Sequence, residues 1–375
     1  MNNIMNVIYI VGAESPTSIP LEVAQFIGEE NVQFIVAAYY KNASGKTSGF
    51  NVPVIQIGAR GKIDPQGPRR LYAYIREIQP DIIHVHHTVS AVWGALLGKM
   101  FGAQVIRTVH NDHRHNTIYQ HLANAISFTF TDRVICNSKD TYANLQPWEK
   151  RLVGKFEIVH NGIDVERIDQ AKSAEEELRH MIGVGENKIV VGSVGRLIPQ
   201  KNYKNLLRAW SVVLDRVPEA RLVIIGDGAL REDLKRLADA LEIASFVTFA
   251  GEHPRDTVYA LLHTIDMYVM PSRWEGFCNA VVEAMAAGNP VVSSDISTLR
   301  EVVGEVATYV NPEEPNDIAH GIIEVLRESP ESWYERGQAC RQRAIERYSV
   351  ERTAEQYIRN YRMLAGQERN EEEAV

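Results

Sequence analysis

Two carboxylates, Glu275 and Glu283, stand eight residues apart in Ser272-Arg-Trp-Glu-Gly-Phe-Cys-Asn-Ala-Val-Val-Glu-Ala-Met-Ala-Ala-Gly288. A short apolar run, Asp266–Pro271, precedes them, and a helical stretch is expected to start near Phe277. Glu275 then lies at the carboxyl end of a strand, with Glu283 about two helical turns further on. The N–H groups of Phe277, Cys278 and Asn279 fall in the first turn, without intrahelical acceptors, where they can hold hydroxyls or phosphate oxygens. Gly276 permits close backbone approach. Alone, this spacing fits an exposed helix with two surface acids equally well. A second segment, Ser193-Val-Gly195-Arg196-Leu-Ile-Pro-Gln-Lys201-Asn202, ends a strand and enters a helix. It puts a guanidinium fork and a point charge around one loop, which suits a diphosphate.

The elements that must position these loops repeat along the chain. Short apolar runs at Asn6–Gly12, Val32–Tyr40, Val52–Gly58, Asp81–His87, Gln104–His110, Arg133–Ser138 and Phe156–Asn161 alternate with helical stretches such as Arg69–Ile78 and Ala91–Met100. A polar connector spans Asp164–Lys188. The pattern then restarts at Lys188–Gly195, Arg221–Gly226, Val247–Gly251, Asp266–Pro271, Pro290–Ser294 and Ala307–Val310. Near-continuous apolar strands alternating with helices predict parallel sheets covered on both faces. The expected α/β architecture is two Rossmann-like, doubly wound domains, residues 1–164 and 165–350, facing a cleft. Residues 351–375 are expected to form a helix packing back toward the first domain, with an acidic tail from Glu368.

Composition bounds the function. The 375 residues are 45% hydrophobic and 23% charged, an ordinary globular balance. The apolar runs are far shorter than the ~20 residues of a membrane span. Three scattered cysteines, Cys136, Cys278 and Cys340, fit a reducing compartment and no cysteine zinc site. The expected location is cytoplasmic. Residues 1–164 hold 15 Lys+Arg against 13 Asp+Glu, leaving 25 against 35 for the rest. Eight of the 12 histidines also lie in that first part, making it the face for an anionic partner. No basic stripe with interleaved aromatics points to nucleic acid.

Three motifs read as decoys. Ser44-Gly45-Lys46-Thr47 resembles the end of a phosphate loop but has Tyr40 where a glycine is needed, and no helix follows. Gly226-Asp-Gly228-Ala-Leu-Arg231 has Arg in place of the third glycine of a dinucleotide fingerprint, and reads as a turn. His84 and His86 share a strand face but lack an apparent third metal ligand. They read as strand-end residues, and His113 and His115 as loop residues or anion contacts.

Taken together, the chain resembles the retaining GT-B glycosyltransferases of family 4. Second-half matches are Val-Gly-Arg-Leu…Lys-Asn, Leu-Val-Ile-Ile-Gly-Asp-Gly, Phe-Ala-Gly-Glu, Met-Pro-Ser-Arg-Trp-Glu-Gly-Phe and Glu-Ala-Met-Ala-Ala-Gly-Asn-Pro-Val-Val. First-half matches are Val-Ile-Arg-Thr-Val-His110, Val-Ile-Cys-Asn137-Ser138 and Val-His-Asn161-Gly162-Ile-Asp164. The resemblance implies that Gly195, Arg196 and Lys201 serve the donor diphosphate and Glu283 the ribose. Glu275, Gly276 and the Phe277–Asn279 amides would hold the transferred sugar, with Glu252 and His253 bordering the base. Gly12 would approach the phosphates, and His110 would reach the sugar. The family's first loop commonly reads Gly-Gly-x-Glu, whereas here it is Gly12-Ala13-Glu14.

The implied reaction moves a hexose-type sugar from a nucleotide-sugar donor, UDP-linked by expectation, with retention. No Asp-x-Asp motif is present, and no metal or cofactor is expected. The acceptor is a glycan, a lipid-linked molecule or a small molecule. Arg60, Lys62, Arg69 and Arg70 suggest peripheral contact with an acidic membrane face. A same-fold epimerase or phosphorylase, or a non-catalytic sugar-nucleotide-binding subunit, stays open as an alternative.

Overall fold

A computed structural model describes residues 4–15, 18–27, 32–41, 52–62, 64–110, 113, 116–171, 175–185 and 188–366. The chain divides into two compact units: one runs to Gly162 and resumes at Val350, and the other is Ile163–Ser349.

The first unit is built on strands β1 Met5–Val11, β2 Val32–Tyr40, β3 Val54–Ala59, β4 Ile82–Val85, β5 Gln104–Val109, β6 Arg133–Cys136 and β7 Phe156–Ile158. They form one sheet in the order β3-β2-β1-β4-β5-β6-β7, and every pairing is parallel. Apolar residues alternate between its faces. Tyr9 joins Ile82 and Ile106 on one side, while Ile8 and Ile10 join Ile83 and Leu71 on the other. All four residues of β4 are buried, as a central parallel strand requires. The last helix, Val350–Leu364, puts Ala354, Tyr357, Ile358 and Tyr361 into this core.

The second unit uses β8 Ile189–Val194, β9 Ala220–Ile225, β10 Val247–Gly251, β11 Met267–Met270, β12 Val291–Ser294 and β13 Thr308–Val310. Their order is β10-β9-β8-β11-β12-β13, again all parallel. Val190 and Val191 feed opposite cores. In both sheets the order reverses beside the first strand, after β1 and after β8. Loops at the carboxyl ends of strands flanking such a switch point make the ligand crevice of doubly wound sheets.

Candidate functional site

The switch point of the second unit lies between β8 and β11. Gly195 follows β8, and Glu275 follows β11. Lys201 ends a short 3-10 turn, Pro199–Lys201, and its Nζ lies 2.7 Å from Glu275 Oε1. Both side chains are buried, with relative exposures of 12% and 7%. Burial opposes the Lys201 charge, but Glu275 outweighs it and holds the ammonium pKa above its ordinary value. Gln200 ties the loops together, donating to Trp274 O at 2.9 Å and to Glu275 Oε2 at 3.3 Å. Thr298 Oγ1 donates to Glu275 O at 3.0 Å.

Glycine is required here by close approach. A Cβ on Gly195 would lie 3.0 Å from Lys201 Cε and from the Tyr203 hydroxyl. A Cβ on Gly226, at φ +134°, would lie 2.2 Å from Gly195 O. The Gly226-Asp-Gly228 segment is thus a turn seated on the Gly195 loop. Arg231 pins it by donating to Asp227 and to Phe249 O. Arg196 is exposed and has no ion-pair partner among the described residues, so its guanidinium is open to an incoming anion.

The helix after Glu275 begins at Asn279, not near Phe277. Cys278 adopts φ +76°, in the left-handed region, and cannot be part of the helix. Phe277 and Cys278 therefore sit in the loop, and the first helical turn starts with Asn279. Phe277 is buried against the Tyr348 ring, with centroids 5.4 Å apart. Burial pushes the Cys278 thiol up to about 12, which leaves it unreactive.

Glu283 has a partner that sequence reading missed. Arg255 Nη2 donates to Glu283 Oε1 at 2.6 Å, and Arg255 Nε donates to the Tyr259 hydroxyl at 2.5 Å. The Tyr259 hydroxyl also donates to Glu283 Oε1, at 3.4 Å. Arg255 opens the helix Arg255–Leu262 just after β10, and Tyr259 is one turn along it. The local signal was a cation two residues past His253. His253 itself bonds Ala250 O at 3.0 Å through Nε2, while Glu252 is exposed.

In the first unit, Gly12 follows β1 and packs on His87, whose Cδ2 would be 3.3 Å from an added Cβ. His110 follows β5. Its Nε2 is 3.0 Å from His86 Nδ1, with the two rings stacked. Burial lowers the His110 pKa to about 4 and holds His84 and His86 well below 6.5, so all three rings are neutral near pH 7. His84 is a core residue, bonded to the Tyr361 hydroxyl at 2.8 Å and Thr108 Oγ1 at 2.7 Å.

Two expectations need correction. His113 is not a plain loop residue or anion contact: it is buried, with Nδ1 2.9 Å from each oxygen of Glu149. Arg70 is not a free surface cation, because its guanidinium donates to Ile57 O, Gly58 O and Gln66 Oε1. Arg60, Lys62 and Arg69 are exposed. Ser44–Thr47, His115 and the tail from Glu368 lie outside the described residues. No described helix is long and apolar enough to cross a membrane.

The family model Glycosyltransferase Family 4 matches residues 22–167, and Glycosyl transferases group 1 matches residues 174–347. An uncharacterized glycosyltransferase of Methanocaldococcus jannaschii is 31% identical over 66% of each chain. A second from that organism is 27% identical, and 59% of its length is spanned; both spans are under two thirds. The putative glycosyltransferase EpsD of Bacillus subtilis is 28% identical over 82% of each chain. Among solved structures, sucrose-phosphate synthase of Thermosynechococcus elongatus superposes with a TM-score of 0.83 at 19% identity, covering 97% of this chain and 100% of the other. Anabaena HepE in complex with UDP-glucose gives 0.78 at 20% identity, covering 95% and 99%. With its paired parallel-sheet units and both family matches, the chain belongs to the family 4, group 1 glycosyltransferases of GT-B fold.

Proposed function

We propose that the chain transfers a hexose-type sugar from a UDP-linked donor to a hydroxyl acceptor with retention of configuration. The observation that carries this reading is the buried Lys201–Glu275 pair beside the open Arg196 at the β8 switch point. A departing diphosphate gathers negative charge, and fixed cations aimed at it lower the barrier. Lys201, kept protonated by Glu275, is such a charge, and Arg196 is free to fork two phosphate oxygens. Glu283, oriented by Arg255, accepts from ribose hydroxyls. Glu275 and the Gly276–Asn279 backbone hold the sugar. The bond from the anomeric carbon to the phosphate oxygen breaks as the acceptor oxygen bonds from the same face. The acceptor proton passes to the leaving phosphate. The positive charge comes from the chain, so this reading needs no metal or cofactor.

The solved HepE complexes hold UDP and UDP-glucose, which supports a uridine donor here. Arg60, Lys62 and Arg69 are exposed, and one helix, Ile118–Thr129, leaves Ile118, Tyr119, Leu122 and Ile126 uncovered. These residues support peripheral contact with an acidic lipid surface carrying the acceptor. The deciding experiment is a panel of UDP-, GDP- and ADP-sugars offered with glycan, lipid-linked and small-molecule acceptors, with product anomers read by NMR. Free sugar released irrespective of acceptor would favour a hydrolysing epimerase. Binding without turnover would favour a non-catalytic subunit.

A further inference from the structure

Glu283 is gripped on one of its two oxygens. Its Oε1 accepts from Arg255 Nη2 at 2.6 Å and from the Tyr259 hydroxyl at 3.4 Å. A carboxylate oxygen offers two lone pairs, so these two donors fill Oε1. No described residue bonds Oε2. Glu283 as a whole is only 8% exposed, and an acceptor left unmet in so dry a place binds an incoming donor strongly.

The two donors come from one helix, Arg255–Leu262, four residues apart and so on one face of it. A guanidinium only donates, so the Tyr259 oxygen accepts from Arg255 Nε and keeps its own hydrogen for Glu283 Oε1. The Tyr259 ring is fully buried, and the Arg255 and Arg167 guanidiniums lie over it at 5.3 and 5.9 Å from its centroid. Arg167 is itself fixed by Asp256 at 2.7 Å. Turning the carboxylate away would break a buried charge pair, which is costly. This edge-on hold has a consequence for a ribose ring. Two neighbouring hydroxyls match a free carboxylate edge with one oxygen each. With Oε1 filled, that two-point grip is closed, and Oε2 alone remains.

We propose that Arg255 and Tyr259 are positioning residues that hold Glu283 edge-on, so that it recognises a nucleotide through a single ribose hydroxyl, at Oε2. This rests on the donor reading above and narrows its ribose hydroxyls to one. A nucleotide lacking that hydroxyl is rejected, and one lacking only its neighbour is accepted. Tyr259 and Arg255 thereby set which deoxyribose nucleotides the chain discriminates against, without touching the ligand themselves.

Calorimetry on the full chain compares UDP with 2′-deoxy-UDP and 3′-deoxy-UDP. One deoxy nucleotide is expected to bind about tenfold or more weakly than UDP, the worth of a hydrogen bond to a charged group, and the other within about threefold. Tyr259→Phe keeps the ring and reopens Oε1, so the gap between the two deoxy nucleotides should close to about threefold or less. Arg255→Lys keeps the charge without the fork and should narrow the gap in the same way. A merely structural role would lower Tm, or weaken all the ligands by one factor, and leave the gap intact. If Arg255→Lys fails to fold, Tyr259→Phe decides. Equal affinities for the two deoxy nucleotides in the wild type, or a gap unchanged in Tyr259→Phe, would overturn the single-hydroxyl grip. The matching ADP and GDP series run alongside, because ribose is common to all of them. The same gap with ADP or GDP but no binding of UDP would overturn the uridine assignment and leave the grip standing. No binding in any series would overturn both.

Discussion

The Arg255 guanidinium and the Glu283 carboxylate meet at 2.6 Å, joining the helix after β10 to the helix after β11. Both side chains are buried, at 6% and 11% exposure, so neither charge is tolerable alone. Replacing Arg255 by Leu should therefore destabilise the fold by about 3–5 kcal/mol, read as a loss in the urea midpoint. Glu283→Gln keeps the shape and should weaken UDP and UDP-sugar about equally, by roughly tenfold or more, because its proposed partner is ribose. Calorimetry showing a loss confined to the sugar-bearing ligand would refute that role.

Arg196 and Lys201 should separate by stability. Either alanine substitution is expected to lower turnover about 100-fold or more by removing charge from the leaving diphosphate. Lys201→Ala also strands Glu275 and should lower Tm, whereas exposed Arg196→Ala should not. Wild-type rates in both variants would sink the diphosphate assignment.

Glu275→Gln leaves Lys201 without its carboxylate partner. Turnover should fall strongly while affinity for sugar-free UDP holds, since the bound diphosphate takes the place of Glu275 as the counter-charge that keeps Lys201 protonated. A matching loss of UDP affinity would mean that Glu275 acts mainly on the nucleotide.

Stability should depend on pH through the buried histidines. His84, His86 and His110 resist protonation when folded, His110 down to about 4, whereas unfolded histidine titrates near 6.5. Between these values the unfolded chain binds more protons, so stability rises with pH and falls on acidification from about 6.5 to about 4. Above 6.5 these rings contribute no slope. Urea titrations across that range should show this decline, and His110→Asn should reduce the slope by about one proton. An unchanged slope would place the His110 titration elsewhere.

Cosedimentation with phosphatidylglycerol-rich vesicles checks the lipid contact. Binding at low salt should weaken as salt rises, and should drop when Arg60, Lys62 and Arg69 become Glu or when Ile118 and Leu122 become Asp. Indifference to both sets of changes would remove the surface from the reading.

Local pattern was enough to determine the two parallel sheets and the loops that matter. Continuous apolar runs such as Met267–Met270, set between helical stretches, read as strands buried on both faces, and Gly-Arg…Lys and Glu275 mark strand ends. What local pattern does not encode is which side chain faces which across a crossover. Lys201 and Glu275 are 74 residues apart, and they meet because β8 and β11 are neighbours in the sheet. The same holds for Arg255 with Glu283 and for His113 with Glu149, whose partners come from separate helices and loops. The left-handed Cys278, which delays its helix to Asn279, answers to packing rather than to propensity. Periodicity and capping act over a few residues, so they fix element type. Charge pairing and hydroxyl pockets depend on strand order and close packing, and these exist only once the chain has folded.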